Sequence, residues 1–191
     1  MSHFFAYMSR MKLILRWGLM RNTHQENDQE HSLQVAMIAH ALAVIDRVRY
    51  GGDVDANHVL SLAVYHDASE VITGDLATPI KYFNPEIRQA FSSVEKVAAE
   101  KLVAMLPEDL QASYQPLLLP DEDTPAWRIV KAADRISAYL KCVEEEKAGN
   151  KEFEKAKISI LASIQELGMP AVADFMREFV PSFELTVDEL N

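Results

Sequence analysis

A chain of 191 residues is the length of one domain and can bury one hydrophobic core. Hydrophobic residues make up 49% of it, which argues against disorder, and only six glycines with little strand-like alternation point to an all-α fold. The net charge of −10 argues against a nucleic-acid polymer as ligand, since that needs a basic surface; a small phosphate needs only a local cationic pocket.

Residues 3–18 read as a first amphipathic helix, with Phe4, Phe5, Met8, Met11, Ile14 and Leu15 at roughly helical spacing. Gly18 and the polar stretch 21–29 then read as a loop. A second helix, about 30–48, is apolar nearly all round from Val35 to Val44 and is therefore expected at the centre. Gly51-Gly52 ends it, and Asp55 caps a third helix of about 56–72. Residues 73–79 read as a loop. Asn84-Pro85-Glu86 is a cap, a first-turn Pro and a first-turn acid, opening a helix to about 106. A short helix over 107–119 is expected to be interrupted at Pro116. Thr124-Pro125 repeats the cap-plus-Pro signature and opens a helix of about 125–148, stopped by Gly149. Helices of about 151–167 and 170–180 complete the chain. No repeat, linker or low-complexity tract divides it, so residues 1–191 form one domain. No apolar run approaches the roughly 18 residues of a membrane span. Met1 to Arg10 has polar and basic residues where a signal peptide needs an apolar segment. The lone Cys142 reads as a small core residue in a reducing compartment, so the expected location is the cytoplasm.

The chemistry concentrates at His66-Asp67, followed by Glu70, in an otherwise apolar helical run. Burying such groups without partners costs several kcal/mol or more. His31 and Asp134, each in its own helical run, are the expected partners. Singly they are ordinary: a His at a helix start is most often structural, and Asp134 has Lys131 and Arg135 beside it for an ion pair. Together, two imidazoles and two carboxylates from the helices near 30–48, 56–72 and 125–148 make a nitrogen–oxygen site for one divalent metal. Zinc, manganese, cobalt and ferrous iron suit it; copper(I) does not. Glu70 lies one helical turn past His66 and is placed to move a proton. His3, His24, His40 and His58 have no partner pattern and read as structural or exposed.

The order His31, His66-Asp67, Asp134 resembles the HD-domain phosphohydrolase superfamily. Arg16-Trp17, Glu26-Asn27 through Glu30-His31-Ser32-Leu33-Gln34-Val35-Ala36, Tyr65 to Glu70, Thr73-Gly74-Asp75-Leu76 with Thr78-Pro79, and Ala138 to Cys142 are similar to the bacterial 5'-deoxynucleotidase branch, from His3 to Glu189. The resemblance implies an all-α HD-domain helical bundle. It implies a metal-dependent enzyme that hydrolyses 2'-deoxyribonucleoside 5'-monophosphates with broad base tolerance. His31, His66, Asp67 and Asp134 would be metal ligands, Arg16 would orient the phosphate, and Glu70 would be catalytic. Substrate would be bounded by Arg16, Trp17, His31, Asp75, Leu76, Ala77, Thr78 and Asp134, with Trp17 a wall against the sugar and Asp75 an acceptor for its 3'-hydroxyl. Ala77 departs from the family, where a Pro stiffens the loop. Lys81 and Arg21 are further candidate phosphate contacts. A homodimer is implied as well. The rival functions are an HD phosphohydrolase of another nucleotide or phosphomonoester, and a metal-dependent nucleotide sensor without turnover.

Overall fold

The computed structural model describes residues 1–81 and 83–190, apart from the side chains of Thr78 and Pro79. Its α-helices are α1 (Phe4–Met8), α2 (Asp28–Tyr50), α3 (Ala56–Tyr65), α4 (Glu70–Thr73), α5 (Thr78–Lys81), α6 (Pro85–Ala104), α7 (Glu108–Leu118), α8 (Pro125–Lys147), α9 (Glu154–Gln165) and α10 (Pro170–Glu178). No named strand occurs among the described residues, as the all-α expectation requires. No described helix is long and apolar enough to cross a membrane.

The central helix is α2, with α3, α8 and α10 packed on it. Val35, Ala39 and Leu42 of α2 meet Val59, Leu62 and Ala63 of α3 and Val130, Ile136 and Leu140 of α8, all but buried completely. Burial of each Val, Leu or Ile is worth about 1.5–3 kcal/mol, so apolar packing, not the charges of the site, holds these three helices together. A second cluster, Phe4 with Ala68, Ala99, Leu102 and Leu118, closes the far side of the α3–α4 corner.

Local chemistry sets the ends. Asn27 caps α2 by accepting from the Gln29 and Glu30 amides at 3.1 Å, and Gly51 closes it in the left-handed region at φ 74°. Asp55, Asn84 and Thr124 cap α3, α6 and α8 as expected.

Several expected elements differ. The helix over 3–18 ends at Met8; a 3-10 turn spans Met11–Leu13, and the chain then extends. The cause is tertiary pairing: Leu15 bridges Asn27, the Arg16 amide donates to Glu26 O at 3.0 Å, and the Asp28 amide donates to Ile14 O at 3.1 Å. The helix over 56–72 breaks at His66–Ser69, where tight turns (Ala68 N to Tyr65 O and Glu70 N to Asp67 O, both 3.0 Å) separate α3 from α4. Pro116 does not interrupt α7; it sits in the last turn, so the one bond its missing N–H forfeits, to the carbonyl four residues back, falls at the end of the helix.

Candidate metal centre

His66 is the C-cap of α3, and its side chain is fully buried. Its Nδ1 lies 2.8 Å from the Ala63 carbonyl, which can only accept, so Nδ1 carries the proton and Nε2 presents its lone pair. His31, in the first turn of α2, is fully buried too. Its Nδ1 lies 3.1 Å from Ser137 Oγ, whose own proton goes to Gln34 Oε1 at 2.6 Å. Ser137 therefore accepts from His31 Nδ1–H, and Nε2 again carries the free lone pair. The two rings stand 5.3 Å apart. Both Nε2 atoms are buried without a hydrogen-bond partner.

What faces them is negative. Asp134 Oδ1 lies 3.2 Å from His31 Nε2 and 4.0 Å from His66 Nε2; Asp67 Oδ2 lies 3.6 Å and 3.1 Å from the same atoms. One ligand atom each from His31, His66 and Asp134 fits within 4.8 Å. Burial opposes the ionised form of Asp67, but His66, Arg16 and His31 hold its pKa well below the ordinary carboxylate range. Lys131 and His31 do the same for Asp134. Lone pairs and carboxylate oxygens at these distances repel unless a cation lies among them. A divalent metal therefore fits among the two imidazoles and Asp134, with Asp67 Oδ2 close to the same two nitrogens. Burial and then Arg16 depress His31 toward the neutral form a metal needs. For His66 burial works the same way, but Asp67 and Asp134 outweigh it and raise the pKa, so a proton competes with the metal there. Asp134 also meets its simpler expectation, since Oδ2 accepts from Lys131 at 2.8 Å, while Arg135 turns away to Ser163 O.

Arg16 reaches this centre from the extended segment. Its Nη1 donates to Asp67 Oδ2 at 3.1 Å and its Nε to Glu26 Oε2 at 3.3 Å. Among the described residues Nη2 has no acceptor, which leaves that edge for an anion. Burial works against its charge, but Asp67, Asp134, Glu26 and Glu70 together raise its pKa. Trp17 follows with φ 58°, the left-handed region that a bulky residue enters only when its surroundings force it. Its indole N–H donates to Glu26 Oε2 at 3.1 Å, and its ring packs edge-on against Phe153 at 5.3 Å.

Glu70 opens α4 and is almost wholly buried. Burial, followed by Asp67, Asp28 and Asp75, pushes its carboxyl up to about 11. It faces Asp28, a fully buried residue of α2 whose oxygens have no N–H or hydroxyl donor in reach. Two facing buried carboxyls do not both ionise; burial lifts Asp28 to about 7, below Glu70, so the proton rests on Glu70. Asp75 follows Gly74, which ends α4 at φ 73°, and burial raises its pKa against the pull of Arg16. Leu76 and Ala77 are half-buried in the same loop. The Ala77 carbonyl accepts from Ile80 and Lys81 and so starts α5, where a loop was expected. The side chain of Thr78 lies outside the described residues. Lys81 pairs with Glu95 at 2.8 Å and stands over the Phe91 ring, joining α5 to α6.

The structure thus brings His31, His66, Asp67, Asp134, Arg16, Glu70 and Asp75 into one neighbourhood, with Trp17 at its edge. Sequence reasoning passed over Glu26, Asp28 and Ser137. Glu26 stood inside a recognised motif without a role. Asp28 looked like loop, although an acid one turn before Ser32 on the core side of a helix has to find a partner. Ser137 has no signal beyond being three residues past Asp134.

The profile of the family described as 5'-deoxynucleotidase YfbR-like matches residues 3–183. A 5'-deoxynucleotidase of Shewanella oneidensis is 50% identical over 192 residues, covering 100% of this chain and 98% of that protein. A 5'-deoxynucleotidase YfbR of Escherichia coli O1:K1 is 52% identical over 194 residues, covering 100% and 96%. An HD-domain phosphohydrolase from Listeria innocua superposes with a TM-score of 0.84 at 27% identity, covering 95% of this chain and 88% of that one. A cyanophage S-2L HD phosphohydrolase, bound to dA and one catalytic Zn2+ ion, shares the fold at 19% identity, with a TM-score of 0.64 and 95% and 96% coverage. On its matched length and its identity to these relatives, this chain belongs to the YfbR-like 5'-deoxynucleotidase family.

Proposed function

We infer that the chain hydrolyses 2'-deoxyribonucleoside 5'-monophosphates to deoxyribonucleoside and phosphate with one divalent metal, of the cobalt, manganese or zinc kind. The observation that carries this is the pair of buried Nε2 lone pairs converging on Asp67 and Asp134, with a charged Arg16 on Asp67. In this reading His31, His66, Asp67 and Asp134 hold the metal. Bound there, a metal supplies an activated water and charge neutralisation at a phosphoryl oxygen. Arg16 orients the phosphate through its open guanidinium edge. Glu70, carrying a proton at neutral pH, delivers it to the leaving 5'-oxygen. Asp75 accepts from the 3'-hydroxyl, Leu76, Ala77 and Thr78 shape the same rim, and His31 and Asp134 border the substrate through the metal. Base choice is loose, because no side-chain set is committed to a base edge. A triphosphate would call for more cations than Arg16 and its neighbours supply. The placement of a protonated Glu70 favours turnover over sensing alone.

Trp17, fixed beside Arg16, blocks the space of a 2'-hydroxyl while leaving a 2'-methylene in apolar contact. A clash or an unpaired buried hydroxyl costs about 1–3 kcal/mol, so kcat/KM for dAMP should exceed that for AMP by roughly ten- to a hundredfold. Trp17→Ala should narrow the ratio chiefly by admitting AMP. Equal wild-type values would refute the deoxy reading; an unchanged ratio in Trp17→Ala would move the gate, with Asp75 next in line.

The chain is proposed to work as a cytoplasmic homodimer. Leu33, Met37, Val44 and Val48 form an exposed apolar stripe along α2, at helical spacing, that a second copy would cover. Sedimentation at micromolar concentration tests it: a dimer mass that Met37→Glu shifts to monomer is expected, and a wild-type monomer refutes it.

A further inference from the structure

Glu26 joins two groups that the proposed function gives separate work. One oxygen, Oε2, accepts from the Arg16 Nε at 3.3 Å and from the Trp17 indole N–H at 3.1 Å. The Glu26 side chain is only 12% exposed, and its place is fixed from both sides. Downstream, its carbonyl pairs with the Arg16 amide and the next residue, Asn27, caps α2. Upstream, Thr23 and His24 are fastened to the buried Glu145 of α8: the Thr23 hydroxyl donates to Oε2 at 2.7 Å, both backbone amides donate to the same carboxylate, and Lys141 bonds His24 O and Glu145 together. Such a clamp makes the Glu26 carboxylate a fixed point, not a mobile surface charge.

A fixed acceptor has two consequences. With its Nε held by Glu26 and its Nη1 by Asp67, the Arg16 guanidinium cannot rotate about its long axis, and its remaining edge keeps one direction toward a phosphate. With its N–H held, the Trp17 ring cannot swing aside, and the positive φ of its backbone is kept in place by the same bond.

We propose that Glu26 is a positioning residue that sets the Arg16 fork and the Trp17 wall relative to each other, so that phosphate grip and sugar selection depend on one carboxylate. This rests on the deoxynucleotidase reading above and deepens it. Glu26 acts through Arg16 and Trp17, its other oxygen lying 3.9 Å from His31 Nδ1, and does not touch the substrate.

The test uses Glu26→Ala and Glu26→Gln in a Trp127→Phe background. The chain has two tryptophans, so Trp17 is then the sole indole. Acrylamide quenching of Trp17, read on metal-free protein without substrate, should rise in Glu26→Ala and stay at the starting level in Glu26→Gln, whose amide oxygen still accepts. In the metal-loaded enzyme, Glu26→Ala should lower kcat/KM for dAMP on the order of tenfold or more and narrow the dAMP-to-AMP ratio by roughly tenfold. Glu26→Gln, having lost the charge that faces Arg16, should raise KM for dAMP while keeping the ratio. An unmoved Trp17 signal in Glu26→Ala overturns the proposal and leaves the deoxynucleotidase reading intact. So does an equal loss on dAMP and AMP, which is the mark of a merely structural residue. If Glu26→Ala does not fold, Glu26→Gln decides, and an unchanged KM there overturns the proposal. A parent enzyme that treats dAMP and AMP alike refutes the sugar reading and the selectivity assigned to Glu26 with it.

Discussion

Bound metal and turnover are expected to fall together, by orders of magnitude, when His66 is replaced by Ala. The imidazole contributes one of two buried Nε2 lone pairs that no protein donor satisfies, and its removal leaves Ala63 O without its side-chain partner and Asp67 Oδ2 without the ring nitrogen 3.1 Å away. The fold is held by the α2, α3 and α8 core, so circular dichroism should remain that of the parent. Asp67→Ala should lose metal as completely but is the less clean variant, because it also strips Arg16 of its 3.1 Å partner and leaves the buried guanidinium with Glu26 as its remaining hydrogen-bonded carboxylate. Metal analysis and kinetics with dAMP on the same samples check both. Hydrolysis by EDTA-treated, metal-free protein at the rate of the loaded form would overturn the assignment of the centre. Mild acid should release metal as well, since protons and metal compete for His66, whose pKa the Asp67 and Asp134 carboxylates raise against burial.

The extent to which this site is legible in the sequence follows from the range of the interactions that build it. Caps and stops are local, and they read well: Asp55, Asn84-Pro85 and Thr124-Pro125 open α3, α6 and α8 where expected, and Gly51 closes α2. The four proposed ligands were legible because so many chemical groups in apolar helical runs need a shared partner. Arg16 and Trp17 were legible as residues but not as geometry. Their apolar neighbours at helical spacing suggested a helix, whereas the backbone pairs instead with residues 26–28, which no local pattern announces. The break at His66 was hidden for the same reason, since the residues flanking it are good helix formers. Glu70 consequently reaches the site from a separate short helix and not from one turn along the helix of His66. Asp28 became visible only through what it faces.

Glu70→Gln is expected to retain metal and substrate binding and to lose about 10²–10⁴-fold in kcat, the usual contribution of a positioned acid–base group. The substitution is well matched to its surroundings. Glu70 faces the Asp28 carboxyl, and a Gln amide can donate to that carboxylate, so the buried neighbour keeps a polar partner while the transferable proton is gone. A second readout needs no turnover. In the metal-free protein the Glu70 pKa is raised to about 11, against about 4.3 in an unfolded chain. A folded-state pKa above the unfolded one means that the stability this group contributes is fully present below the unfolded value. It is then lost as pH rises toward the folded one. Gln cannot ionise. Metal-free Glu70→Gln should therefore lose less stability than wild type between pH 5 and pH 9, as thermal melts would report. A kcat equal to wild type would remove Glu70 from proton transfer. Parallel pH–stability curves would show that Glu70 does not carry its proton in the folded state, and the acid acting on the leaving 5'-oxygen would then have to be sought elsewhere.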